Sequence, residues 1–472
     1  MSDIKNIIES DLKTCLSDCV FKQIANSTDK FHFISKSSKK SLKNYIKFNN
    51  LVSSKELWKN LLIDSICILK ANDKREKIYE DAQEDPQEFI NHFDDIRRSS
   101  TYGINQIDKY FDDFIEFESV LYGTDKHYRD HVGHVLQVWA IGIGLINNHE
   151  FTFKDGYKIN NDYCFLFEKE DNENEISISK SEFWSMWTII ALCHDLGYPI
   201  EKTSEINKQA KKIISHFGNM NFSELNYSFD IFNSFLVEKF LNIISSKALI
   251  SSNETSVQTK FRDKISKSLE DYNHGVFSSL LIFKNLTYFL ETDYSTSKEK
   301  LTNEDLRQFH IRKEILRAIA SHTCPKIYHL EFNTLSFLLI LCDELQEWNR
   351  PKFNELKKNS ISQAPNNVEI KEFTITEENQ TIYIEFSYDF DYEEKFKEFL
   401  VLNKYKHIYN LLRSAKDDKK RKIIFDWDII FLNKKFNISF NSNRNSYEFM
   451  NSSEYNKTAD DSWAFLSKME IY

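Results

Sequence analysis

Five short segments hold side chains whose types and spacing could do chemistry together. In YRDHVGHVLQVWAIG, His131 and His134 stand three apart at the head of an apolar stretch, which puts both imidazoles on one face of a helix. In FWSMWTIIALCHDLGYP, the pair His194-Asp195 ends a strongly apolar helix that Leu-Gly-Tyr-Pro then stops. His274 opens HGVFSSLLI, His322 follows the apolar turn AIAS, and Asp343 follows the run LLILC. A carboxylate in such a setting is costly to bury unless a cation or hydrogen bonds compensate it. His134, His194, Asp195 and Asp343 offer two imidazoles and two carboxylates, a mixed nitrogen and oxygen set that suits Mn, Mg, Co, Fe, Ni or Zn with water positions left open. Taken singly, each has a plainer account as a polar group at a helix end. Their shared order and apolar settings favour a divalent metal site.

Such an ion lowers the pKa of its water from about 16 towards about 7, polarises a phosphoryl oxygen and fixes in-line geometry. The expected reaction is hydrolysis of a phosphoester or phosphoanhydride. Asp195 would ligate the metal and orient the attacking water, while His131 or His274 would protonate the leaving oxygen. Arg350 is a candidate substrate contact, and Glu201 is a candidate general base.

The order His, then His-Asp, then a distant Asp resembles the HD-domain metal-dependent phosphohydrolase superfamily. HVLQVWAIG is similar to the family's first motif, in which a ligand His precedes an apolar residue of the core by four positions. That resemblance assigns the first ligand to His134 rather than His131. ALCHDLGYP looks like the apolar-His-Asp-aliphatic-Gly signature, and LCDELQEWNRP like the closing motif with the last ligand, Asp343. The likeness covers residues 120 to 355, with His-Gly-x-x-Ser at His274 and a further His at His322. In members with two metals such histidines complete the second site, so one or two ions are implied, and His274 and His322 either do this or contact the phosphate. One departure is Tyr198, directly after His-Asp-x-Gly, where many members have Lys or His. Tyr198 then becomes a substrate contact, and neutralising phosphate falls to Arg129 and Lys202.

The resemblance implies a hydrolase of a nucleotide, with a dNTP or NTP favoured and a dNTP triphosphohydrolase as the nearest type. Alternatives are a phosphodiesterase or nuclease for cyclic or oligonucleotide substrates, and a catalytically silent nucleotide-sensing HD scaffold. An antiviral nucleotide-depletion role would suit an enlarged enzyme of this kind.

The elements that must position these groups are mainly α-helical. From 116 to 355 the apolar residues keep close to the helical period, in HVLQVWAIGIGLI, FNSFLVEKFLNII, GVFSSLLIFKNLTYFL, IRKEILRAIASHT and TLSFLLILCDELQEW. This predicts an all-helical core at 116–355, preceded by a helical N-terminal region at 1–115. Between the first two core helices, residues 150–179 alternate and contain Asp-Gly, which predicts a small hairpin insertion. After a polar linker the pattern becomes strand-like, then helical over 392–415, then strand-like again, so residues 366–472 read as a small α+β domain. The basic stretch KDDKKRKIIF at 416–425 reads as a loop.

The 472 residues carry 72 acidic and 62 basic side chains, a net charge of −10, which argues against a protein-wide clamp for nucleic acid. A small anionic substrate is still compatible, because local cations and a metal act at short range. No run of 18 apolar residues and no leader pattern appear, so a cytoplasmic protein without a membrane partner is expected. Seven scattered cysteines with no CxxC pair read as reduced thiols. The flanking regions suggest homo-oligomerisation or a regulatory partner.

Overall fold

A computed structural model describes residues 16–26, 34–75, 102–124, 131–147, 157–160, 163–164, 176–218, 231–294, 300–324, 326–327, 330–331, 334–346, 368–378, 381–390, 415–416, 422–431, 434–441 and 446–451. The fold is mainly helical. Helices α1 (Leu16–Asn26), α2 (Lys36–Phe48), α3 (Leu51–Ala71) and α4 (Ile104–Thr124) precede the site-bearing helices α5 (Val132–Asn147) and α6 (Lys180–Cys193). Then come α7 (Tyr198–Ile214), α8 (Ile231–Ser245), α9 (Thr259–Glu270), α10 (His274–Asn285), α11 (Thr287–Leu290), α12 (Asn303–Ser321) and α13 (Leu335–Leu345).

One hydrophobic core runs from Val20 to Leu345, and the N-terminal helices belong to it. The boundary drawn near residue 115 falls inside α4. Helix α3 has apolar residues around most of its circumference, so it is buried at Leu57 and Trp58 and from Leu61 to Ala71 rather than lying on a surface. Its Trp58 stacks on Phe111 of α4 at 4.1 Å and donates Nε1–H to the Leu192 carbonyl at 2.8 Å, near the end of α6. The N-terminal region thus supports the turn that carries His194 and Asp195.

Helix α6 starts at a capping box between Ser179 and Glu182, and its residues from Glu182 to Cys193 are all buried. The three tryptophans Trp139, Trp184 and Trp187 lie in the core, and Trp187 donates to the Trp139 carbonyl at 3.0 Å. Helix α12 is polar in sequence yet buried. Its arginines bind backbone oxygens of other elements: Arg312 the Tyr288 carbonyl at 2.7 Å, and Arg317 those of Ile244 and Ser246 at 2.9 and 2.8 Å. These bonds fix the helix that ends at His322.

Three sequence expectations change. GVFSSLLIFKNLTYFL is not one helix: it breaks at Leu286, whose extended backbone separates α10 from α11. Gly103, at φ +77, packs its backbone against Asn285 at this break. The insertion at 150–179 forms a three-stranded antiparallel sheet in the order β2-β1-β3, from Tyr163–Cys164, Tyr157–Asn160 and Ile176–Ile178. Asn160 pairs with Tyr163 in this sheet, and Asp155-Gly156 lies outside the described residues. In the basic stretch at 416–425 the described residues, Lys416 and Lys422 to Phe425, lie in strands rather than in a loop, and the β-branched and aromatic Ile423, Ile424 and Phe425 suit a pleated surface.

A β4 (Ser246–Leu249) and β5 (Glu254–Val257) hairpin links α8 to α9. The C-terminal strands β7 (Val368–Glu378), β8 (Thr381–Phe390), β10 (Lys422–Phe431), β11 (Lys434–Asn441) and β12 (Ser446–Asn451) form a sheet in the order β12-β11-β10-β8-β7. Strands β8 and β10 run parallel and the other pairs antiparallel. Short β6 (Leu330–Glu331) pairs with β9 (Ala415–Lys416). The helix expected over 392–415 lies outside the described residues except at Ala415, which is in β9.

Candidate metal centre

Four helix ends meet at one point. His134 lies in the first turn of α5, His194 and Asp195 follow α6, His322 follows α12, and Asp343 lies near the end of α13. His134, His194 and Asp195 are buried, and the Asp343 side chain is 30% exposed. His134 Nε2 lies 2.9 Å from Asp343 Oδ1 and 3.6 Å from Asp195 Oδ2. His194 Nε2 lies 3.4 Å from Asp195 Oδ2 and 3.8 Å from Asp343 Oδ1. Two overlapping sets, His134/His194/Asp343 and His194/Asp195/His322, have their donor atoms close enough to hold a metal ion.

The imidazoles are oriented for ligation. His194 donates Nδ1–H to the Ala191 carbonyl at 2.8 Å, and His322 donates Nδ1–H to the Ile319 carbonyl at 2.6 Å. His134 Nδ1–H donates to Gln346 Oε1, while the Gln346 amide nitrogen donates to Gln137. In each neutral ring the proton is on Nδ1, so the Nε2 lone pair faces the cluster. His194 Nε2 is a buried atom without a hydrogen-bond partner. A buried lone pair without a hydrogen-bond partner beside two carboxylates suits coordination of a cation.

Asp195 faces two ways. Its Oδ2 is turned to His134 and His194, and its Oδ1 lies 3.2 Å from His274 Nε2 and 3.7 Å from His322 Nε2. His274 is held in turn by Glu201, which accepts both its Nδ1–H at 2.7 Å and its backbone N–H at 3.0 Å. Its Nε2 is 3.2 Å from that of His322. Glu201, read from the sequence as a possible base, therefore orients His274.

Charge decides the protonation of these rings. Burial pulls His194 down, and the charges of Asp195 and Asp343 reverse this and raise it above its ordinary value. The same competition raises His274 to about 10, with Asp195 and Glu201 outweighing burial. For His322 burial wins, and its pKa is lowered. Burial opposes ionisation of Asp195 and Asp343, yet the surrounding imidazoles, His194 foremost for Asp195 and His134 for Asp343, hold both well below the ordinary carboxylate value.

His131 precedes α5 and is buried, not solvated. Glu118 of α4 accepts its backbone N–H at 2.9 Å and pairs with Nδ1 at 3.1 Å. Its ring lies 4.2 Å from that of Tyr198 and 6.3 Å from that of His134, so it is beside the candidate metal ligands rather than among them. Tyr198 stands between His131 and His274, 5.3 Å from the latter, with Lys202 Nζ 5.2 Å from its ring centre. Burial pushes the Tyr198 hydroxyl up to about 12. Arg129 and Arg350 lie outside the described residues.

Sequence reasoning missed Glu118 and Gln346. Gln346 lies three residues after Asp343 near the end of α13, a spacing that could have flagged it. Nothing local marks Glu118, which meets His131 through packing of α4.

Two glycines and a serine close the site. A Cβ on Gly197 would lie 2.2 Å from the His274 carbonyl oxygen, and one on Gly275 would lie 2.6 Å from that of Ile319. Ser278 Oγ accepts the Gly197 N–H at 2.7 Å, giving the serine of His-Gly-x-x-Ser a structural task.

Comparison with protein families, with curated proteins and with solved structures finds no match to this chain.

Proposed function

We propose that this chain is an HD-type metal-dependent phosphohydrolase that cleaves a phosphoester or phosphoanhydride of a nucleotide, with a dNTP or NTP as the favoured substrate. The observation that carries this reading is the convergence of three Nε2 lone pairs with Asp195 and Asp343, each ring fixed through its Nδ1–H. His134, His194, Asp195 and Asp343 would hold the ion. When bound, a divalent ion supplies Lewis-acid polarisation of the phosphoryl group and a water acidic enough to attack near neutral pH.

The chain's own groups provide the rest. Asp195 orients the attacking water. His274, locked by Glu201, holds a proton at Nε2 beside Asp195 and can pass it to the leaving oxygen. Tyr198 and Lys202 line the approach to His131 and His274 and contact the substrate.

The test is to incubate metal-loaded protein with pooled NTPs, dNTPs and cyclic nucleotides and to identify the products. Release of triphosphate, pyrophosphate or phosphate from a nucleoside triphosphate is expected, and Asp195→Ala should reduce turnover about a thousandfold or more. No turnover with Mn, Mg or Co would count against the proposal.

A second reading, a phosphodiesterase, is favoured by the two-sided use of Asp195, which suits a pair of ions. Two ions per chain, with a mononucleotide as product from a cyclic or oligonucleotide substrate, would select it.

A further inference from the structure

The face of α2 lies outside the site and has a chemistry of its own. Lys36, Lys40, Lys43 and Lys47 follow one another at helical spacing, so all four lie in one stripe, and all are exposed. No acidic residue occurs in the helix. Among the described residues no ion pair is formed by these four, in contrast to Lys55 and Lys59 of α3, which are paired with Asp108 and Asp112. Among the described hydrogen bonds, Glu56 accepts from Ser41, and Asp64 accepts from Ser35 and Ser38, all away from the stripe. In a chain of net charge −10, this is a basic surface that no described acid neutralises by an ion pair.

At the end of the stripe, where α2 turns into α3, Ile46, Phe48, Leu51 and Val52 are exposed, Phe48 by 56% and Val52 by 76%. The turn presenting them is firmly built. Asn49 takes the left-handed conformation at φ 40, and Asn50 caps α3 in a reciprocal box with Ser53. These apolar side chains therefore sit on a rigid corner and not on a frayed end.

We propose that this corner and its lysine stripe form a docking surface for an anionic lipid bilayer. Lysines held near the headgroups attract acidic lipids, and the apolar corner enters the boundary between headgroups and acyl chains. A nucleic-acid backbone would use the lysines and leave the aliphatic side chains in water, so it accounts for half of the surface. No helix among the described residues is long and apolar enough to cross a membrane, and attachment to a membrane face requires none. The sequence expectation of no membrane partner rested on the lack of a span, a separate matter. The metal centre plays no part in this proposal.

The experiment is flotation of the full-length protein with vesicles of phosphatidylcholine alone and with vesicles containing about one third phosphatidylglycerol. Binding to the anionic vesicles, weak or absent on the neutral ones and released by high salt, is expected. Lys40→Glu with Lys43→Glu should lower partitioning at least about twentyfold, at roughly fivefold for each lysine charge lost. Phe48→Ser with Val52→Asp should lower it by about tenfold or more, and unchanged circular dichroism and melting temperature would show that the fold is intact. Absent binding, equal binding to both vesicle types, or variants that bind as well as the parent would overturn the proposal. Lysine-dependent binding of DNA or RNA with no vesicle binding would also overturn it and assign the stripe to nucleic acid.

Discussion

Gln346 does for His134 what backbone carbonyls do for His194 and His322: it accepts the Nδ1–H and turns Nε2 to the cluster. A side chain can be removed where a carbonyl cannot. Gln346→Ala is therefore expected to weaken Mn binding by about 10- to 100-fold with the first ligands intact, as read by titration calorimetry. A pH dependence also belongs to single residues. The raised pKa of His194 means that its proton stabilises the metal-free fold below its unfolded value, near 6.5, and that this contribution is lost as pH rises through the folded value. Asp195 and Asp343, held well below 3.8, stay charged over the same window. An ion needs the deprotonated nitrogen, so the rise in melting temperature on adding metal should grow as pH climbs above about 6.5. A metal-induced rise that is flat or shrinking with pH would contradict ligation by His194.

At the scale of elements, the site depends on close approach between the turn at residues 194–197 and the first turn of α10. Gly197 makes this possible, and the clash that a Cβ would cause is with the His274 backbone, which cannot rotate away as a flexible side chain would. Gly197→Ala should push α10 outward, cost about 1–3 kcal/mol of stability and lengthen the 3.2 Å approach of His274 to Asp195. A lowered urea midpoint with a larger loss of turnover than of metal content is the expected result. Retained stability and full turnover would show that the two elements are not so tightly set. Glu201 on α7 ties the same pair from the other side, through both the ring and the backbone of His274.

For the whole molecule, the N-terminal helices and the site share one core. Trp58 binds a carbonyl two residues before His194, and Tyr110 of α4 donates to the Leu196 carbonyl at 2.5 Å. Glu118, at the far end of the same helix α4, holds His131. Removing residues 1–115 would expose the buried face of α6 and leave these carbonyls without donors. The truncated chain should fail to give a cooperative unfolding transition, and the full chain should unfold residues 34–75 and the site together. Thermal melts and hydrogen exchange on the two chains would check this. A truncated chain that melts cooperatively and binds metal would make the N-terminal helices an accessory.

The sequence alone marked His134, His194, Asp195, His322 and Asp343, because charged or metal-ligating groups set against strongly apolar runs are costly without a shared purpose. It also gave the helical character of the core, a property of local apolar spacing. It left His131 and His134 nearly equivalent except by resemblance. Packing distinguishes them: Gln346, 212 residues away in the chain, turns His134 towards Asp343, while Glu118 holds His131 beside Tyr198. The break at Leu286 and the role of Glu201 were hidden for the same reason. Such features depend on contacts between segments distant along the chain, and local periodicity contains no record of which distant segment will arrive. The residue types of the site were written in the sequence, and the direction in which each nitrogen and oxygen points was decided by the tertiary fold.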